Sequence, residues 1–258
     1  MKKILITGAN SYIGTSLEKH LSRCPEEYRV DTLDMMGPWR EQSFAGYDAV
    51  YHVAGIAHVR ETDENRHLYY EVNRDLAIET ARKAKQEGVS QFVFLSSMSV
   101  YGMEEGAISR NTPENPNSAY GESKLQAEQG IRALADEGFA VAVLRPPMVY
   151  GEGCKGNYQS LVKFARVMPV FPDYRNKRSM IHIDNLSAFV RDLVDSGEGG
   201  LFLPQDPEYV CTCQMVQKIA RDMGRNVRLL RILNPAVSVA KRFTAMGKKA
   251  FGDLYYEK

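Results

Sequence analysis

Tyr120 and Lys124 stand four residues apart in the segment Tyr120-Gly121-Glu122-Ser123-Lys124, a spacing that sets both on one face of a helix, one turn apart. A free tyrosine titrates near ~10 and is a poor base at neutral pH. An ammonium beside it would stabilise the phenolate and lower that value. Tyr120 could then take a proton from an alcohol or sugar hydroxyl while hydride leaves the adjoining carbon. Taken alone, the same spacing also describes a solvated helix face. Upstream, Phe94-Leu95-Ser96-Ser97 ends an apolar run. Ser97 at its tip could hydrogen-bond the same hydroxyl; Ser96 is the alternative, better suited to shaping the strand end.

Such chemistry needs a hydride carrier, and Ile6-Thr7-Gly8-Ala9-Asn10-Ser11-Tyr12-Ile13-Gly14 is where one would bind. A strand enters this loop and a helix leaves it, as the dinucleotide fingerprint requires. Gly8 makes the tight turn, Gly14 lets the helix pack on the sheet, and the helix start presents backbone N–H groups to a pyrophosphate. Ser11 occupies the place of a middle glycine, where its hydroxyl could itself donate to phosphate. Gly8, Asn10, Ser11, Tyr12, Ile13 and Gly14 are therefore cofactor candidates. Asp34, at the end of the second strand, could accept both ribose hydroxyls and repel a 2′-phosphate, so NAD is expected before NADP. Arg40 is near enough in sequence to serve a 2′-phosphate. Val53, Ala54 and Gly55 end a third strand with small residues where a cofactor could approach the backbone, Lys124 could hold a nicotinamide ribose, and Asn73 sits where a helix begins and could cap it.

The elements that must position these groups alternate. Strands are expected at 3–7, 28–34, 48–55, 91–97 and 140–146, and helices at 13–21, 75–87 and 119–136. This alternation implies an α/β fold with a doubly wound parallel sheet covered on both faces. After Pro146 the pattern weakens. Residues 151–179 and 198–258 read as a smaller substrate-binding lobe, residues 1–150 as the cofactor domain, and 180–197 as a return to the sheet. Residues 241–251 form a basic amphipathic stretch, read as a solvated helix face before a membrane or acidic-partner contact.

The chain has 258 residues with a formal net charge of +1, which gives no reason to invoke nucleic acid. The four cysteines match neither a paired zinc site nor a disulfide framework, so no metal is expected, and they read as thiols of a reducing cytoplasm. Cys211 and Cys213 would face the same side of a strand. No run approaches a membrane span and no secretory leader is visible.

The segments Thr7–Gly14, His52–Gly55, Val72-Asn73, Ser96–Gly102, Tyr120–Lys124, Leu144–Gly153 and Arg178–Leu186 occur in the order seen in extended short-chain dehydrogenases/reductases. Over residues 2–195 the chain resembles, more narrowly, the NAD-dependent epimerase/dehydratase group that acts on nucleotide sugars. The resemblance implies a Rossmann-type domain, a catalytic triad of Ser97, Tyr120 and Lys124, and cofactor support from Asn73. It implies that Pro147 and Val149 lie near the nicotinamide and that Asn157 and Arg178 hold the sugar's diphosphate. It implies that His182 and Asp184 organise the return to the sheet rather than touch substrate. It also implies a homodimer through the helix bearing Tyr120. Met98-Ser99 replace the Asp-Glu pair of sugar 4,6-dehydratases, which disfavours dehydration. Met148 replaces a substrate-contacting asparagine of many 4-epimerases. The stretch between Asp34 and Asp48 is short enough to stunt one strand, and the lobe is expected to lack a final helix. The reading is an NAD-dependent nucleotide-sugar epimerase or 4-keto-sugar reductase acting at C4. The alternatives are a dehydrogenase of a non-sugar alcohol, such as a steroid, and a non-catalytic NAD-binding regulator.

Overall fold

The computed structural model describes residues 1–258 apart from His58 and Lys155, with the side chains of Ala245 and Met246 also left out. In chain order the first elements are β1 (Lys2–Thr7), α1 (Tyr12–Leu21), β2 (Tyr28–Leu33), β3 (Ala49–His52), α2 (Arg66–Tyr69), α3 (Leu76–Gln86) and β4 (Gln91–Leu95). Then come β5 (Gly106–Ile108), α4 (Ala119–Arg132), β6 (Ala140–Leu144), β7 (Met148–Tyr150), α5 (Asn157–Val167), β8 (Val170–Pro172), β9 (Met180–His182) and α6 (Ile183–Ser196). The last are β10 (Gly200–Phe202), α7 (Thr212–Asp222), β11 (Arg228–Leu230), α8 (Asn234–Phe243), α9 (Ala245–Phe251) and β12 (Leu254–Tyr256).

Two compact units emerge. The first comprises Met1–Gly102, Glu114–Pro146 and His182–Pro204; the second comprises Met103–Pro113, Pro147–Ile181 and Gln205–Lys258. In the first unit a six-stranded parallel sheet runs in the order β10-β6-β4-β3-β1-β2. Alternate strand residues serve opposite faces. Leu5, Val50, Phe92, Phe94, Val141 and Val143 share one core with Ala77, Ala81 and Ala84 of α3 and Ala127 and Ile131 of α4. Ile4, Ile6, Tyr51, Val93, Ala142 and Leu144 are buried on the alternate register, and α6 packs on α1. The small residues of α3 let that helix lie close to the sheet, and each large aliphatic or aromatic group so buried contributes about 1.5–3 kcal/mol.

The order of strands reverses between β1 and β3, the type of place where open α/β sheets bind ligands. Residues 34–48 hold only a 3₁₀ turn, Trp39–Glu41, and β2 is the sheet edge, so the stunted strand expected from the short spacing is absent here. Two expectations change. The strand that closes the other edge is β10, whereas most of 180–197 is helix α6. Helix α4 stops at Arg132 rather than Asp136, because the Asp136 carboxylate captures the Gly138 N–H at 2.9 Å in a turn. Cys211 stands at the N-cap of α7, and its sulfur is 3.3 Å from that of Cys213, both thiols free.

The second unit packs Leu161 and Ala165 of α5, Phe171 of β8 and Met215, Val216, Ile219 and Ala220 of α7 into one core. Short parallel pairs, β5–β12 and β8–β11, tie its three chain segments together. The basic stretch 241–251 is not one helix. It is split at Thr244, whose backbone is extended and whose hydroxyl caps α9 by accepting from Gly247 N at 2.9 Å.

Candidate active site

The loop after β1 takes its shape from glycine. Gly8 has φ +100, and a Cβ there would lie 2.8 Å from Ala54 N, so the turn closes against the end of β3 only without a side chain. Gly8 N and Ala9 N both donate to Leu33 O, at 2.8 and 3.1 Å, which ties the loop to β2. Asn10 takes a left-handed φ of 64, a conformation asparagine tolerates. Ser11 is the N-cap of α1, its Oγ accepting from Gly14 N at 3.1 Å. The hydroxyl expected to meet a phosphate is therefore occupied, as an acceptor, in starting the helix. A Cβ on Gly14 would come within 2.6 Å of that oxygen and 3.2 Å of Val53 Cγ2. Tyr12 and Ile13, both partly buried, form the first turn of α1.

Asp34 is exposed beyond β2, one carboxylate oxygen accepting from Met36 N at 2.9 Å. Arg40 lies elsewhere: its guanidinium makes a fork to Glu79 at 2.5 and 2.6 Å and stacks 4.7 Å from the Trp39 ring centroid. It is thus committed to another carboxylate. The bare loop backbone at Gly8, the helix start and the open Asp34 carboxylate together fit a dinucleotide.

Gly55, Asn73 and Lys124 converge. A Cβ on Gly55 would lie 2.8 Å from Asn73 Oδ1 and 3.3 Å from Lys124 Nζ. Asn73 is fully buried within a π-helical turn, Tyr70–Asp75, and does not cap a helix. Its Oδ1 accepts from Ile56 N at 2.7 Å, and its Nδ2 donates to Ile56 O at 3.0 Å and to Ser123 Oγ at 3.3 Å. Asn73 thereby fixes the chain leaving Val53 and Ala54, both nearly buried, and couples it to α4.

Tyr120 and Lys124 lie on the first turns of α4, which Ser118 starts by accepting from Gly121 N. Ser97 caps the turn Met98–Tyr101, its Oγ accepting from Ser99 N and donating to Ser99 Oγ, each at 3.1 Å, and its hydroxyl also acts on the Tyr120 phenol. Burial pushes Tyr120 above its ordinary value, the Ser97 hydroxyl pulls it partly back, and Tyr69, edge-on at 6.4 Å, adds a smaller upward push. Lys124 does not act on it in this state. The ammonium donates to Leu95 O at 2.8 Å and lies 4.8 Å from the Phe94 ring centroid. Burial holds Lys124 down at about 8, against the upward pull of Glu128. The expected lowering of the tyrosine by its neighbouring lysine is thus missing here, because the cation is satisfied by a strand-end carbonyl.

Two groups escape a reading of the sequence. Glu128 continues the face of Tyr120 and Lys124 by one more turn. Its carboxylate meets Arg145 at 2.6 Å, both side chains 1% exposed, and accepts from Ser96 Oγ. Arg145 also reaches Tyr101 Oη and Glu114 Oε1, each at 2.9 Å. An arginine inside the strand Ala140–Pro146 was the available signal, since a buried guanidinium needs a carboxylate. His52, fully buried at the end of β3, pairs with Thr7 Oγ1 at 2.7 Å and is kept neutral, pushed to about 3 by burial with the Lys124 charge adding.

Of the remaining candidates, those from Pro147 to Arg178 belong to the second unit, and His182 and Asp184 to the first. Pro147 is buried, and Met148 and Val149 are partly so. Met148 packs against the apolar cluster around Phe171. Asn157 is exposed at the first position of α5. Arg178 is half-buried and donates to Gly252 O at 3.0 Å, and burial lowers its basicity. His182 caps α6, its Nδ1 accepting from Asp184 N at 3.3 Å. Among the described residues no cluster of His, Cys, Asp or Glu could hold a metal ion, and no helix is long and apolar enough to cross a membrane.

Residues 4–199 match the model of the NAD dependent epimerase/dehydratase family. The chain is 32% identical over 249 residues to UDP-glucose 4-epimerase of Vibrio cholerae, covering 85% of this chain and 75% of that one. It is 28% identical over 210 residues to the N-acetyl-alpha-D-glucosaminyl-diphospho-ditrans,octacis-undecaprenol 4-epimerase of Escherichia coli O157:H7, covering 73% of this chain and 62% of the relative. In fold it resembles UDP-glucuronic acid 4-epimerase from Bacillus cereus, solved in complex with NAD, with a TM-score of 0.74 at 19% identity over 99% of this chain and 88% of that one.

Proposed function

Since the chain belongs to the NAD dependent epimerase/dehydratase family, we propose that it transfers hydride at a ring carbon, C4, of a diphosphate-linked sugar, as a 4-epimerase or a 4-keto-sugar reductase. The observation that carries this reading is the grouping at the end of β4: the Ser97 hydroxyl acts on the Tyr120 phenol, and Lys124, one turn further along α4, donates to Leu95 O at 2.8 Å. NAD, when bound, supplies or accepts the hydride. Gly8, Asn10, Ser11, Tyr12, Ile13 and Gly14 would hold its pyrophosphate end, Asp34 its adenosine ribose, and Val53, Ala54, Gly55, Asn73 and Lys124 the backbone edge and second ribose.

The protons are moved by the chain. Tyr120 gives its phenolic proton to the oxygen on C4 in the reducing direction and takes it back in the oxidising one. Ser97 orients that oxygen and the phenol together. In the state described, burial keeps Tyr120 protonated, which suits the donor. For the base, Lys124 must leave the Leu95 carbonyl and turn its charge toward the ring. We assign Pro147 and Val149 to the nicotinamide side, Met148 to the sugar, and Asn157 and Arg178 to its diphosphate. Met98-Ser99 offer no carboxyl acid or base for eliminating water, so dehydration is not part of the proposal. The alternative of a steroid-type alcohol gives the diphosphate residues no role.

The test uses one purified sample. Nucleotide released by heat is identified, and UDP-sugars and UDP-4-keto sugars are then offered while absorbance of the reduced cofactor is followed. Sugar interconversion with no net absorbance change identifies an epimerase; stoichiometric NADH loss with a keto sugar identifies a reductase. Tyr120→Phe should lower either rate by about 10²–10⁴-fold, the range a positioned acid or base supplies. Bound NAD without turnover on any diphosphate sugar, and no effect of Tyr120→Phe, overturns the reading.

A further inference from the structure

Residues 225–251 carry seven lysines and arginines and no acidic residue, in a chain whose whole balance is only +1. Within this segment, Arg231 meets Asp173 at 3.2 Å and Lys241 meets Glu105 at 3.0 Å. Arg225, Arg228, Arg242, Lys248 and Lys249 have no ion-pair partner among the described residues.

The same segment exposes apolar groups that a solvated surface would not select. Ile232 is 84% exposed, Val239 58% and Phe243 74%. At about 100° per residue, Ala236, Val239 and Phe243 fall within an arc of about 60° on α8, with Arg242 about 60° beyond it on the Val239 side. Ala236 is exposed as well, and Ile232 leads into the stripe from the turn that precedes the helix. Val237, on the inner side of α8, is 5% exposed and anchors the helix. Gly247, buried in the first turn of α9, lets the two helices meet. The outward stripe is therefore held on a docked helix and is not a frayed end.

An apolar stripe on a helix with an unpaired cation beside it, in a segment that carries four more, is the pattern of a helix that lies in a bilayer interface, side chains in the acyl boundary and charges among anionic headgroups. We propose that the Ile232–Phe243 face docks this protein on an anionic membrane surface. A second copy of the chain does not suit the face, because two such patches would bring uncompensated positive charges together. The proposal does not rest on the catalytic reading. If both hold, the enzyme works where a diphosphate-linked sugar is carried on lipid.

The experiment uses the full chain and sedimentation with sucrose-loaded vesicles of phosphatidylcholine alone or with an equal share of phosphatidylglycerol. The protein should pellet with the mixed vesicles, not with pure phosphatidylcholine, and should be released by high salt. Val239→Ser with Phe243→Ser should weaken binding by about tenfold or more, and Arg242→Glu should weaken it by a similar factor. Far-ultraviolet circular dichroism checks that these surface variants stay folded. No pelleting with mixed vesicles overturns the proposal, as does binding that neither variant changes. Sedimentation velocity supplies the last outcome: a dimer that Val239→Ser with Phe243→Ser dissociates would assign the face to a second copy and overturn the membrane. Because none of these readouts involves turnover, a failed activity assay and a failed docking assay remain distinguishable.

Discussion

Replacing Glu128 by glutamine keeps the shape of the side chain and removes one charge from a pair that is 1% exposed on both sides. In the wild type the carboxylate accepts from Arg145 Nε and Nη2 and from Ser96 Oγ. The amide of Glu128→Gln would turn a donor toward the guanidinium or give up the serine. Breaking a buried pair on one side costs about 3–5 kcal/mol. Glu114, 40% exposed, still reaches Arg145 at 2.9 Å, which places the cost near the lower end, about 3 kcal/mol. With a urea slope of about 3 kcal/mol per molar, the midpoint should fall by about 1 M. Trp39 is the single tryptophan and is 2% exposed in the core of the first unit, so its fluorescence reports the transition directly. Glu128→Leu with Arg145→Met should recover most of the loss, since paired apolar replacements are often neutral or stabilising. A midpoint shift under about 0.2 M for Glu128→Gln would refute the reasoning and show that Arg145 is solvated or carried by Glu114 alone.

Three further outcomes follow from the site. Lys124 is held at about 8 in the fold against 10.5 for a free lysine, so between those pH values the unfolded chain binds a proton that the folded chain lacks. Stability contributed by this group therefore rises with pH across that window and its penalty is fully present below pH 8; Lys124→Met should flatten the rise in pH-dependent urea melts. Ser11→Ala should cost about 1 kcal/mol through the lost cap, and Ser11→Gly only a few tenths, with NAD affinity by titration calorimetry at least maintained in Ser11→Gly. Gly55→Ala would drive a methyl to 2.8 Å from Asn73 Oδ1 and should lower thermal stability and NAD binding together, whereas an unchanged melting temperature would mean the chain relaxes there freely.

Local chemistry was readable from the amino acids. The glycines of the first loop, the acidic end of β2 and the one-turn spacing of Tyr120 and Lys124 depend on neighbours within a turn or two, and the structure places them at the carboxyl ends of parallel strands. The missing strand after β2 was legible as a length too short to form it. Partnerships across long separations were not. Nothing near Lys124 in sequence says that the Leu95 carbonyl will accept its hydrogen bond, and nothing near Arg40 points to Glu79. The π-helical turn that aims Asn73 at Ile56 adds a residue to a helical pattern, which blurs the very periodicity used to find helices.

Tyr120, Lys124 and Glu128 ride a single helix at successive turns, so a change of register anywhere between them moves phenol, ammonium and carboxylate as separate pieces of one broken rod. Inserting one residue there would swing everything downstream by about 100° and turn Glu128 out of the core. This helix is consequently closed to insertions and deletions, while Gln129, exposed on its outer side, is free to drift. On the proposed assignment, new substrate preferences would be acquired through changes around Met148, Asn157 and Arg178, while the rod itself is inherited whole.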